Sequence, residues 1–162
     1  GRCEVPRLRV AFCTNLALPG GRHDVARAMR LGNTTVLLVE DDLDNLELLA
    51  LCLENDGATV LAAGTIAAAL AISAGRKLDA VVADMELPEG DGCVLLRKLR
   101  SMQGFAAVPA IAVSGYSRDE WRVLATSAGF DLYAVKPLSL DKLVEAIVTL
   151  TRGGADGENA TF

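Results

Sequence analysis

Histidine is nearly absent from this 162-residue chain. Its one copy, His23, lies ahead of the first regular pattern. A mechanism that needs a histidine base or an imidazole ligand in the folded body is therefore excluded. The four cysteines, Cys3, Cys13, Cys52 and Cys93, show no CxxC spacing, which removes thiolate metal sites and dithiol redox chemistry. Cys52 and Cys93 fall in expected helices and read as free thiols of a reducing compartment, so a cytoplasmic location is expected. Aromatics make up only 4% of the chain. The core must then be built from Val, Leu, Ile and Ala, a composition suited to a parallel sheet covered by helices. No apolar run approaches the ~20 residues of a membrane-spanning helix. Residues 7–18 have a basic start and an apolar middle, but Thr14 and Asn15 interrupt it and no small-residue cleavage site follows, so no secretion signal is read there.

Charge of one sign is also scarce where it would matter for nucleic acid. The net charge is −5, unevenly spread: residues 1–33 hold six Arg against Glu4 and Asp24, while the remainder holds ten basic and nineteen acidic residues. An acidic body is a poor surface for phosphate backbones, so no direct nucleic-acid contact is expected. Residues 1–33 are expected to be a basic, poorly ordered leader or upstream fragment, 34–152 the folded domain, and 153–162 a flexible tail.

From Thr35 the pattern is regular. TVLLVE reads as a strand, and LDNLELLALCLEN sets Leu46, Leu49, Ala50 and Leu53 on one helical face. The alternation continues through ATVLAA, TIAAALAISAG, DAVVAD, GCVLLRKLRSM, PAIAVSG, SRDEWRVLATSAG, DLYAVK and SLDKLVEAIVTL. Ser117 and Glu120 are spaced as a capping box for the fourth helix. Asp91 reads as a turn residue or helix cap, and Asp42 and Asp44 as first-turn acids. Five strands alternating with five helices over about 120 residues predict an α/β fold. The expected form is a flavodoxin-like (βα)5 doubly wound five-stranded parallel sheet of order 2-1-3-4-5, since a (β/α)8 barrel needs about twice the chain.

The strand ends carry the chemistry. Strand one ends in Glu40, Asp41 and Asp42, strand three in Asp84, strand four in Ser114 and strand five in Lys136. A lone buried carboxylate is costly, so Asp84 is expected at the exposed end of its strand. Clustered carboxylates raise each other's proton affinity unless a cation sits among them. A hard oxygen-seeking ion, Mg²⁺ above all, fits such a cluster. A carboxylate can attack phosphorus, while a lysine and a hydroxyl bind the remaining phosphoryl oxygens. Asp84 is the candidate nucleophile, with Asp41 and Glu40 holding the metal.

In this order, LLVEDD, DMELPEGDG, AVSG and AVKP, separated by 43, 30 and 22 residues from Asp41 to Asp84 to Ser114 to Lys136, the chain resembles the receiver domain of two-component response regulators, chemotaxis regulators among them. The resemblance runs from about Thr35 to Thr151. It implies that Asp84 accepts a phosphoryl group from a histidine kinase or histidine phosphotransfer protein. It also implies that Glu40, Asp41, Asp84 and the backbone carbonyl of Glu86 hold Mg²⁺, and that Ser114 and Lys136 engage the phosphoryl oxygens. Tyr133 matches an aromatic position that turns inward on activation, and the Lys136–Pro137 bond is often cis in such domains. The state would be read by a downstream protein target at the fourth and fifth helices, where Trp121 is a candidate contact if exposed, with a homodimer as one outcome. Such a domain is a phosphoacceptor, not an enzyme in the turnover sense. Two other classes fit parts of the pattern: a receiver that works by protein contacts without phosphorylation, and a haloacid-dehalogenase-type phosphatase, whose second acid Glu86 would replace by one methylene more. Glu86 departs from many receivers and is expected to alter phosphoryl lifetime.

Overall fold

The computed structural model describes residues 29–153. The chain runs β1 (Thr35–Val39), α1 (Leu43–Asn55), β2 (Thr59–Ala63), α2 (Ile66–Ser73), β3 (Ala80–Asp84), β4 (Glu86–Leu87), β5 (Gly90–Asp91), α3 (Gly92–Ser101), β6 (Ala110–Ser114), α4 (Asp119–Ala128), β7 (Leu132–Val135) and α5 (Leu140–Arg152). The main sheet has the order β2-β1-β3-β6-β7, all parallel. Counting only its five strands, this is the expected 2-1-3-4-5. β4 and β5 form a small antiparallel hairpin that the strand pattern did not predict.

Strand alternation explains the two cores. Leu37, Val39, Val81 and Ala83 point to one face, under α2, α3 and α4. Val36, Leu38, Ala80 and Val82 point to the other, under α1 and α5. β3 and β6 are buried along their whole length, as expected of central parallel strands covered on both faces. Each fully buried Leu or Ile adds about 1.5–3 kcal/mol of hydrophobic stabilisation.

Helix starts are mostly set by side-chain caps. Asp42, Thr65, Asp91 and Ser139 accept the amides of Asn45, Ala68, Val94 and Lys142, which satisfies orphan N–H groups. The fourth helix corrects the expectation. Its N-cap is Arg118, with no side-chain cap hydrogen bond, so Ser117 sits one residue too early and the Ser117–Glu120 box does not form. Cys52 and Cys93 are free thiols within α1 and α3, and burial raises the proton affinity of both.

Residues 29–33 join the body. Leu31 is fully buried beside Val36, Leu53 and Ile147, and its amide donates to the Asp56 carbonyl at 2.8 Å. The Arg30 guanidinium pairs with both Asp56 oxygens at 2.7 and 3.0 Å and reaches Asp141 at 3.3 Å. The hydrogen bonds to Asp56 push its pKa above the usual arginine range. The packed domain therefore begins before residue 34. The rest of the expected leader and the tail beyond Gly153 lie outside the described residues.

Candidate functional site at the carboxyl rim

Three carboxylates meet where β1 and β3 end. Glu40, Asp41 and Asp84 each place an oxygen within 4.8 Å of the others, with Glu40 and Asp84 buried and Asp41 exposed. The parallel register sets this meeting: Val39 pairs with Ala83, so the next residues of both strands emerge side by side. Asp84 in turn pairs with Val113, and Ser114 with Val135, which brings Ser114 and Lys136 to the same rim.

Asp84 is not at an exposed strand end. It is 3% exposed, and its charge is met from two sides. One oxygen accepts the Lys136 ammonium at 2.6 Å, the other the Glu86 amide at 2.7 Å. A second Lys136 bond, at 2.8 Å, goes to Glu40, whose other oxygen accepts the Asp42 amide at 3.2 Å. A buried charge needs a partner, and the fold supplies it within the site, so Asp84 does not need the exposed position expected of it.

The electrostatics follow from burial. Desolvation raises the Glu40 pKa, with the neighbouring Asp84 charge adding to it and Lys136 working against it. Burial disfavours the Lys136 ammonium, but its bonds to Asp84 and Glu40 more than offset that and hold its pKa above the ordinary value. One cation thus serves two buried anions, with Asp41 adding a third negative charge. A second cation among these oxygens would relieve the excess, and an all-oxygen donor set suits Mg²⁺.

The remaining candidates take distinct places. Ser114 is fully buried, and its hydroxyl oxygen accepts the Tyr116 amide at 3.1 Å. Lys136 is anchored by its own amide, which donates to the Ser114 carbonyl at 2.8 Å, and the bond to Pro137 is cis. Glu86 sits on the hairpin with its side chain outward, one oxygen only 3.4 Å from where a Cβ on Gly115 would stand. Gly92 is required beside the site, because a Cβ there would lie 2.7 Å from the Asp84 carbonyl oxygen. Tyr133 points inward, 4% exposed, with its hydroxyl donating to the Tyr116 carbonyl at 2.6 Å. Trp121 is half-buried against the core and stacks on Tyr116. Sequence reasoning did not single out Tyr116, because its bond with Tyr133 spans seventeen residues and its stacking on Trp121 depends on how the loop between them turns.

Residues 36–148, well over half of the chain, match the family described as the response regulator receiver domain. The chain belongs to that family. The receiver domain is 38% identical over 110 residues to the KDP operon transcriptional regulatory protein KdpE of Escherichia coli, covering 68% of this chain and 48% of that one. It is 33% identical over 117 residues to an uncharacterized 14.6 kDa protein of Leptolyngbya boryana, covering 72% and 89%. A crystal structure of a CheY-like response regulator receiver domain protein from Methanospirillum hungatei superposes with a TM-score of 0.65 at 31% identity, covering 70% and 90%. The receiver domain thus spans about half of KdpE and most of the other two.

Proposed function

We propose that this receiver domain takes a phosphoryl group onto Asp84 from a histidine kinase or a histidine phosphotransfer protein and thereby switches a surface read by a partner protein. The observation that carries this reading is the buried Asp84 carboxylate, held by Lys136 and set among Glu40 and Asp41. In the transfer, an Asp84 oxygen attacks phosphorus as the P–N bond to the donor imidazole breaks. The bonding pair leaves with the imidazole nitrogen. Lys136 would follow the phosphoryl oxygens, and the Ser114 hydroxyl would donate to one of them. Glu40, Asp41, Asp84 and the Glu86 backbone carbonyl would hold Mg²⁺, which supplies charge neutralisation on the transferring group.

The added charge and acceptor oxygens bias the β6–α4 region between two arrangements, and a partner that prefers one of them shifts the population. The exposed Val123 and Leu124 of α4 are the apolar residues available to such a partner or to a second copy. The acidic body favours a protein over nucleic acid as this domain's own ligand. No helix among the described residues is long and apolar enough to cross a membrane.

The test is intact mass after incubation with acetyl phosphate and Mg²⁺. A gain of one phosphoryl group (~80 Da, the covalent modification of) is expected, lost in Asp84→Asn and on chelation. Beryllofluoride binding guards against a rapidly hydrolysed adduct. No adduct and no beryllofluoride binding would instead favour a receiver that acts without phosphorylation. Catalytic turnover of phosphomonoesters would favour the phosphatase.

A further inference from the structure

Three contacts converge on Tyr116, two residues beyond Ser114. Its amide donates to the Ser114 hydroxyl oxygen at 3.1 Å, and its carbonyl accepts the Tyr133 hydroxyl at 2.6 Å. Its ring stacks on Trp121 with centroids 6.0 Å apart and planes 15° apart. A hydroxyl that accepts on its oxygen keeps its proton to donate elsewhere. The Tyr116 amide therefore fixes the directions open to the Ser114 O–H. The amide's own position depends on what holds Tyr116, which is 46% exposed and has Trp121 as its ring anchor. Trp121 lies in the first turn of α4, a helix that lacks a side-chain cap. Two and three residues further on, Val123 and Leu124 are exposed.

We infer that the Tyr116–Trp121 stack is a positioning device that orients the Ser114 hydroxyl towards a phosphoryl oxygen and carries occupancy of the Asp84 site to α4. This rests on the phosphoacceptor reading above. It is an addition to the inward packing of Tyr133. If occupancy holds Ser114 in that direction, it holds the Tyr116 amide and so draws the ring more firmly onto Trp121. Coupling of this kind is reciprocal: removing the stack must weaken occupancy by the same factor. The worth of one aromatic pair corresponds to roughly two- to tenfold in binding.

Trp121 is the only tryptophan in the chain, so its emission reports this stack. The experiment titrates beryllofluoride with Mg²⁺ into the full chain, following bound fluoride by ¹⁹F NMR and Trp121 by fluorescence. Wild type is expected to bind and to change its emission. Tyr116→Phe keeps both properties. Tyr116→Ala retains the backbone contacts, binds roughly two- to tenfold more weakly, and loses the emission change even at saturation. Trp121→Leu, read by ¹⁹F NMR alone, shows the same weakening and covers the case in which Tyr116→Ala misfolds. Unchanged affinity in both variants, or an intact emission change in saturated Tyr116→Ala, overturns the inference. Bound fluoride with a silent Trp121 in wild type rejects the relay alone. No bound fluoride in wild type rejects the phosphoacceptor reading itself, and the relay with it.

Discussion

Glu40 shows how a single side chain is kept at a cost to the fold. It is 2% exposed, and burial raises its pKa. A raised carboxylate pKa means that the folded protein binds that proton more tightly than the unfolded chain does. Its contribution is favourable below the unfolded value of about 4.3 and is lost as the pH rises through the folded value. At pH 7 without metal, Glu40→Gln is therefore expected to stabilise the domain by about 1 kcal/mol while weakening Mg²⁺ binding. In paired denaturant titrations that advantage should shrink as the pH falls and vanish below the unfolded value. A variant less stable than wild type at pH 7 would count against the cost. Glu86 poses a different question, since its carboxylate overhangs Gly115 without joining the Lys136 cluster. Glu86→Met is expected to change the dephosphorylation rate of Asp84, followed by loss of the phosphorylated mass; equal rates would remove Glu86 from the chemistry.

At the scale of elements, the β3-to-α3 connection and the segment before β1 are the informative pieces. Asp84 ends β3, its side chain accepts the Glu86 amide, and Gly92 opens α3 against the Asp84 carbonyl. Gly92→Ala is expected to distort the backbone that carries Asp84, lowering both thermal stability and the proposed phosphorylation rate. Unaltered values of both would show that the loop yields without consequence. Before β1, Leu31 fills the core between α1 and α5. Leu31→Ala should cost about 2–4 kcal/mol in denaturant unfolding, whereas a residue outside the domain would cost nothing. Arg30 is tied to α1 through Asp56 and to α5 through Asp141, so the same segment staples two helices.

For the whole molecule, the rim gathers more negative than positive charge, and Mg²⁺ binding should stabilise the native state by mass action. At a hundredfold excess over Kd the gain is about 2.7 kcal/mol, seen as a rise in Tm. That rise should be absent in Asp41→Asn and reversed by chelation; an equal rise in wild type and variant would place the ion elsewhere. The same architecture puts the two cores on opposite faces of one sheet, so the site is supported from α2, α3 and α4 on one side and from α1 and α5 on the other.

Strand and helix order, the parallel sheet and the acidic, hydroxyl and ammonium groups at four of its strand ends were legible in the sequence. Alternation of short β-branched runs with helical faces has few solutions, and the ends of parallel strands must share a rim. Burial of Asp84, the inward Tyr133, the convergence on Tyr116 and the packing of Leu31 were decided by tertiary structure. Asp84 could be buried because Lys136, fifty-two residues away, supplies the countercharge. The Ser117–Glu120 box did not form because Arg118, not Ser117, takes the N-cap position of α4. Local pattern sets which element forms, and contacts distant in sequence set what its charges meet.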